Sequence, residues 1–96
     1  MTYARRSDKN QQEIIDALRS VGASVTSIHR AGNGVPDLLV GYRGLTYLME
    51  VKSDGGTLNK TEQEWHDAWR GQVAVVYNVK EAIEVIDPDI ELLGAW

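Results

Sequence analysis

The 96-residue sequence contains no cysteine, so it can form neither a disulfide nor a thiolate metal site. Any metal ion must therefore be held by oxygen or imidazole ligands. No apolar run approaches the roughly 18 residues that a membrane-spanning helix needs, and no apolar stretch that would make a secretion signal follows the first arginines. A basic excess is also lacking, since fourteen acidic residues against ten basic ones give a formal net charge of −4. These absences predict a soluble, cytoplasmic protein that binds nucleic acid, if at all, through a local surface.

The length predicts one domain over residues 1–96, able to bury about two thirds of its unfolded surface without disulfide bonds or a structural metal ion. Apolar periodicity predicts a first helix over residues 8 to about 21, with Ser7 as its N-cap and Gly22 at its end. A first strand is predicted over residues 23–29, followed by a glycine-rich loop. His29 and Arg30, at the start of that loop, could contact a phosphate or simply be solvated.

Two apolar runs in the middle of the chain carry the residues that point to chemistry. The first, residues 34–41, contains Gly34, Pro36 and Asp37, and the second, residues 46–52, ends with Glu50, Val51 and Lys52. A short turn over residues 42–44 predicts that the two runs form a β-hairpin. Alternate side chains of a strand leave the same face, so Glu50 and Lys52 point the same way. Antiparallel pairing then brings Asp37 next to Glu50.

Two carboxylates beside a lysine suit a hard divalent cation that acts on a phosphodiester. Magnesium prefers oxygen ligands and keeps several waters, so Asp37, Glu50 and the carbonyl of Val51 would suffice to hold it. Lys52 could orient the attacking water or offset charge on the phosphate. The alternative is structural: Asp37 caps a turn, and Glu50 forms an exposed ion pair with Lys52.

The second half of the chain predicts helix, strand and helix. Asn59 with Glu62 forms a capping-box pattern for a helix to about residue 70, and its predicted apolar face consists of Trp65, Ala68 and Trp69. Residues 73–77 are almost wholly apolar, which is typical of a strand buried on both faces and parallel to a neighbour. Asn78 and Glu81 repeat the capping pattern for a short helix to about residue 86.

These motifs resemble those of the PD-(D/E)XK nuclease superfamily, and more narrowly those of the VRR-NUC family, the virus-type replication-repair nuclease domain. The resemblance covers nearly the whole chain and is carried by a small set of residues, namely Gly34, Pro36, Asp37, Glu50, Lys52, Leu58, Gln63 and Trp65. It implies a restriction-endonuclease-like α/β core, ordered helix-strand-strand-strand-helix-strand-helix, with a mixed central sheet. The short chain resembles the stand-alone phage and bacterial members.

The resemblance implies metal-dependent hydrolysis of DNA phosphodiesters. Asp37 and Glu50 would hold Mg²⁺ or Mn²⁺, and Lys52 would be the catalytic lysine. Glu13, which periodicity alone makes an ordinary surface residue, matches the first-helix acid that these nucleases place at the metal. Gln63 matches the helix glutamine beside the site and would contact substrate or Lys52.

Stand-alone members of the family resemble homodimeric enzymes that resolve four-way DNA junctions. The candidate phosphate contacts are Arg5, Arg6, Lys9, His29, Arg30, Arg43 and Lys60. The apolar tail, with Leu92, Leu93 and Trp96, would supply a dimer contact. Two alternatives stay open: a nuclease of another specificity, such as flap-cutting, nicking or restriction-type, and a non-catalytic DNA-binding module on the same fold.

Overall fold

A computed structural model describes the backbone of residues 6–90 and the side chains of residues 9–90. The elements are α1 (Arg6–Ser20), β1 (Ser24–Ser27), β2 (Leu38–Tyr42), β3 (Leu45–Val51), α2 (Lys60–Ala68), β4 (Val73–Val76) and α3 (Val79–Ile86), with a short 3₁₀ turn at His29–Ala31. The predicted element order is confirmed. Ser7 already lies inside α1, so the prediction that it is the N-cap is wrong, whereas Gly22 ends α1 with the positive φ of +99° that favours glycine.

The four strands form one mixed sheet in the order β1-β2-β3-β4. The first three strands are antiparallel, and β4 runs parallel to β3 after the α2 crossover. The predicted mixed sheet and the parallel pairing are therefore confirmed. The prediction that β4 is buried on both faces is wrong, because it is an edge strand in which only Val76 is buried.

α1 and α3 pack together and cover one face of the sheet. The core contains Ile14 and Leu18 of α1, Leu38 and Met49 of the hairpin, and Ile83 of α3, all with no exposed surface. This packing buries one face of the β2–β3 pair. That face carries Leu38 and Val40 of β2 and Met49 and Val51 of β3. Burial of such side chains contributes roughly 1.5–3 kcal/mol each and fixes the hairpin register.

α2 does not join this core, since it has no buried residue. The apolar face predicted for this helix lies outside the core cluster. Its two tryptophans stack on each other instead, with the ring centroids of Trp65 and Trp69 4.7 Å apart, and Trp69 remains 43% exposed.

The β2–β3 turn consists of Arg43 and Gly44, which both have positive φ, as a tight hairpin turn requires. Tyr42, predicted to lie in the turn, is instead the last residue of β2. Within residues 6–90, each helix is too short or too polar to cross a membrane.

Candidate active site

The hairpin register brings the predicted acid pair and the lysine together. Leu38 lies opposite Met49, which places Asp37 beside Glu50 at the open end of the hairpin. Asp37 Oδ2 accepts a 2.9 Å hydrogen bond from the Val51 N–H, so its carboxylate is tied to β3. Asp37, Glu50, Val51 and Lys52 line a single hollow of about 400 Å³.

Gly34 and Pro36 shape the loop that delivers Asp37. Gly34 has a φ of +82°, and a Cβ at this position would lie 2.5 Å from the carbonyl oxygen of Thr61 in α2. Only glycine allows so close an approach between the loop and the first turn of α2. Pro36 is fully buried. The Gly-x-Pro-Asp sequence therefore fixes the distance between α2 and the open end of the hairpin.

Glu50 is an incompletely compensated buried carboxylate. Its exposed fraction is 3%, and its Oε1 has no hydrogen-bond partner among the described residues. Its Oε2 lies 3.9 Å from Lys52 Nζ, which is an ion-pair distance too long for a hydrogen bond. Burial, followed by the hydrogen bond and charge of Asp37, raises the pKa of Glu50 to about 8. A cation at this position would remove the cost of ionising it.

Lys52 is bound by an acid that sequence reasoning did not assign to the site. Its Nζ donates a 2.8 Å hydrogen bond to Oε1 of Glu62, the third residue of α2. Burial alone would lower the pKa of Lys52, but the hydrogen bond to Glu62 and the nearby carboxylates outweigh it, so the pKa is raised. Lys52 is therefore an ammonium ion at neutral pH.

Glu62 also completes the capping box of α2, as the sequence predicts. Its Oε1 accepts a 2.9 Å hydrogen bond from the Asn59 N–H, and its own N–H donates to Asn59 Oδ1. Burial opposes ionisation of Glu62, but Lys52 and the Asn59 backbone outweigh it and lower its pKa. One carboxylate oxygen thus joins the helix cap to the lysine.

α1 supports the site through a residue that the sequence did not single out. Asn10 Nδ2 donates to the carbonyl oxygens of Lys52 (3.1 Å) and Tyr77 (3.0 Å). Lys52 directly follows β3 and Tyr77 directly follows β4, so these bonds attach the ends of the two parallel strands to α1. The backbone of Lys52 is therefore restrained by α1, and its side chain by α2.

The structure does not bring Glu13 or Gln63 into this hollow. Glu13 is exposed and lines a neighbouring depression with Lys9 and Asp54, which shares only Ser53 with the hollow, while Gln11 lines the hollow itself. Successive helix residues point about 100° apart, so Glu13 points well away from the direction of Gln11. Gln63 donates to Asp67 on the helix surface.

Of three further lining residues, two carried no sequence signal and one did. Gln11 and Ser53 have no distinguishing pattern, and Ser53 Oγ is a second buried atom without a partner among the described residues. Glu62 did have a sequence signal, because it completes the capping-box pattern with Asn59, but that pattern identifies a helix cap and not a contact with Lys52.

The donor set fits a hard cation with few protein ligands. Asp37 and Glu50 supply carboxylate oxygens, and the unpartnered Oε1 of Glu50 is the atom that such an ion would satisfy. Within residues 9–90, no three acidic or imidazole side chains converge into a fuller ligand set. Mg²⁺ is commonly held by one or two carboxylates and retains several waters, so two suffice. The carbonyl of Val51 stays a predicted ligand.

The predicted phosphate contacts are scattered. His29 lines the hollow, Arg30 is exposed next to it in the chain, and Lys60 is exposed at the start of α2. Arg43 lies at the opposite end of the hairpin, where it pairs with Asp87. Lys9 borders the neighbouring depression. Arg5 and the side chain of Arg6 lie outside the described residues, as do Leu92, Leu93 and Trp96.

The sheet order and the α2 crossover define an α/β domain with a four-stranded mixed sheet. More particularly, the chain has the fold of a VRR-NUC domain. A solved structure described as a "VRR_NUC domain" superposes with a TM-score of 0.74, covering 91% of this chain and 100% of that chain with 24% identical residues. No family model matches the chain, and no curated protein matches it significantly in sequence.

Proposed function

We propose that this chain is a Mg²⁺- or Mn²⁺-dependent endonuclease that hydrolyses DNA phosphodiesters, and that it acts as a homodimeric resolvase of four-way junctions. One observation carries the proposal: a buried glutamate with an unpartnered oxygen lies beside a second carboxylate and an ammonium group in an open hollow. A chain that only bound DNA would gain nothing from this unfavourable arrangement. The VRR-NUC fold supports the same conclusion.

Each side chain has a role that follows from its chemistry. Asp37 and Glu50 hold the divalent cation, which supplies neutralisation of the scissile phosphate and acidification of water when it is bound. Lys52, as an ammonium, donates to a phosphate oxygen or to the attacking water and offsets the negative charge that develops on the phosphoryl oxygens. The water oxygen forms a bond to phosphorus and its proton goes to solvent, while the bond to the leaving sugar oxygen breaks and that oxygen takes up a proton from solvent.

DNA binding is assigned to a local surface around the hollow. His29 lines the hollow, Arg30 follows it in the chain, and Lys60 is at the start of α2 close to Glu62, which also lines the hollow; these basic residues would contact phosphates rather than bases. The net charge of −4 limits binding elsewhere. Affinity is therefore expected to depend on the divalent cation.

The proposed homodimer is inferred from the two-fold symmetry of the proposed substrate, a four-way junction. One hollow cuts one strand, whereas a two-fold dimer presents two hollows to the two symmetric strands of a junction. The apolar tail, including Leu92, Leu93 and Trp96, is the proposed contact. A nuclease of another specificity remains the second candidate, because the fold alone does not select the DNA structure.

The test is cleavage of end-labelled DNA of matched sequence as a four-way junction, a flap, a linear duplex and a single strand, in Mg²⁺ and in Mn²⁺. The controls are Lys52→Ala and the exposed Lys80→Ala. Paired symmetric nicks in the junction alone, lost only in Lys52→Ala, are the expected result. Equal cutting of flap or duplex would favour the second candidate, and no cutting by any variant would contradict a nuclease.

A further inference from the structure

We infer that Glu62 is the positioning residue that aims the Lys52 ammonium at the reacting phosphate, and that the backbone N–H of Asn59, which donates to Glu62 Oε1, holds that carboxylate in place. This inference rests on the proposed function. It concerns a residue outside the predicted site, because the family resemblance implied Gln63, and the structure places Gln63 on the helix surface, where it donates to Asp67.

The distances identify the partner that orients Lys52. Its Nζ is 2.8 Å from Glu62 Oε1 but 3.9 Å from Glu50 Oε2. Only the first distance allows a hydrogen bond. Among the described residues, Glu62 is the one acceptor of Lys52 Nζ, and an ammonium has three N–H groups, so two remain for water or phosphate.

Glu62 is itself held more rigidly than a surface glutamate. Its Oε1 accepts from the Asn59 N–H at 2.9 Å, and its main chain is fixed by Asn59 Oδ1. The side chain is only 17% exposed. A carboxylate that accepts two hydrogen bonds on one oxygen has little rotamer freedom, so it can define the position of a flexible lysine.

The same contact connects the loop before β2 to the lysine. The loop glycine Gly34 lies against Thr61, the residue before Glu62, where a Cβ would meet the Thr61 carbonyl at 2.5 Å. The first turn of α2 therefore touches the segment that delivers Asp37 and the side chain of Lys52. The acid pair and the lysine are thus positioned relative to one another through one helical turn.

The test separates positioning from helix stability with three variants. Glu62→Ala removes the acceptor, Glu62→Gln keeps an acceptor oxygen without charge, and Asn59→Ala removes the cap but leaves the Lys52 partner. Glu64→Ala is the matched control, since Glu64 is an exposed acid on the same helix. The readouts are kcat and KM for cleavage, and the NMR order parameter of Lys52 Cε in the metal-free protein.

We expect Glu62→Ala to lower kcat at least tenfold with little change in KM and to lower the order parameter of Lys52 Cε to that of an exposed lysine. Glu62→Gln should recover part of both, whereas Asn59→Ala should retain the order of Lys52 and most of kcat. The inference is overturned if Lys52 Cε is equally ordered in wild type and Glu62→Ala, whether or not the protein cuts DNA. If wild type cuts nothing, the proposed function fails, and the order parameter still decides whether Glu62 holds Lys52.

Discussion

Two buried carboxylates lie at opposite ends of the β2–β3 hairpin, and their surroundings differ in kind. At the turn end, Asp87 is 7% exposed, accepts a 2.9 Å hydrogen bond from the Tyr42 hydroxyl and pairs with Arg43 at 3.3 Å. At the open end, Glu50 is 3% exposed, and its Oε1 has no hydrogen-bond partner within residues 9–90.

The difference teaches which buried acid belongs to the fold and which to the chemistry. Asp87 follows the last turn of α3, and its contact with Tyr42 attaches that helix to the end of β2. Its charge is compensated within the chain. Glu50 lies next to another carboxylate, Asp37. The negative charge of ionised Glu50 must therefore be balanced partly by a group other than the described residues.

The largest expected effect is a loss of DNA cleavage from a substitution at the open end of the hairpin and not at its turn end. Asp37→Asn should lower the rate of DNA cleavage at least about 100-fold, because it removes a charged cation ligand from the open end. Its stability should change little, since the asparagine oxygen can still accept from the Val51 N–H. Steady-state cleavage and thermal melting measure both.

Asp87→Asn is the matched variant at the turn end. It should keep cleavage near the wild-type rate at temperatures where it is folded. Loss of cleavage in a folded Asp87→Asn protein would break the comparison.

The second prediction concerns pH. The folded pKa of Glu50 is raised to about 8 from an unfolded value near 4.5, so its contribution is most favourable below the unfolded pKa and is lost as pH rises toward 8. Metal-free wild type should therefore lose stability relative to Glu50→Gln between about pH 5 and 8, by up to a few kcal/mol.

The measurement is the melting temperature of both proteins across this pH range in chelator. The curves should nearly coincide in shape below pH 5 and diverge above it. A difference that stays constant with pH would show that Glu50 does not titrate as a buried acid.

The third prediction concerns the contribution of the turn end of the hairpin to the free energy of unfolding. Asp87→Ala leaves the buried Tyr42 hydroxyl without its acceptor and should cost about 1–3 kcal/mol of unfolding free energy. Urea denaturation measures this, with the exposed Asp89→Ala as control. Equal effects of the two alanines would mean that the Asp87 contact does not hold α3.

The two smallest expected effects are those of Tyr42→Phe and, below it, Arg43→Ala. Tyr42→Phe removes one hydroxyl while Arg43 still faces Asp87, so it should cost about 1 kcal/mol. Arg43→Ala should cost less still, because the arginine side chain is 72% exposed and an exposed ion pair contributes little. A larger loss from Arg43→Ala than from Tyr42→Phe would reverse this assignment.

The sequence predicted most of the fold because local signals agreed with tertiary packing. The α1 stripe, the hairpin and the two Asn caps depend on periodicity and on bonds within a few residues, and all of these are present. β4 was predicted to be more buried than it is, and the apolar face predicted for α2 lies outside the core. Apolar content does not reveal that a strand lies at a sheet edge, or that two tryptophans stack on each other rather than on the core.

The central part of the site was predictable for the same reason. Period-two alternation and antiparallel register place Asp37, Glu50 and Lys52 together without knowledge of the rest of the fold. The outer part of the site was not predictable from the sequence. Whether Gln11 or Glu13 lines the hollow, and whether Glu62 or Gln63 reaches Lys52, depends on helix rotation, which one or two residues change by 100° or 200°.

The most direct test of the account is Mn²⁺ binding, followed by the EPR signal of free Mn²⁺, in the presence of a four-way junction whose scissile phosphates are replaced to prevent cutting. Wild type and Asp87→Asn should take up Mn²⁺ equally, and Asp37→Asn should take up at least tenfold less. Equal uptake by Asp37→Asn and wild type would contradict the assignment of the open end of the hairpin as the metal-binding catalytic site.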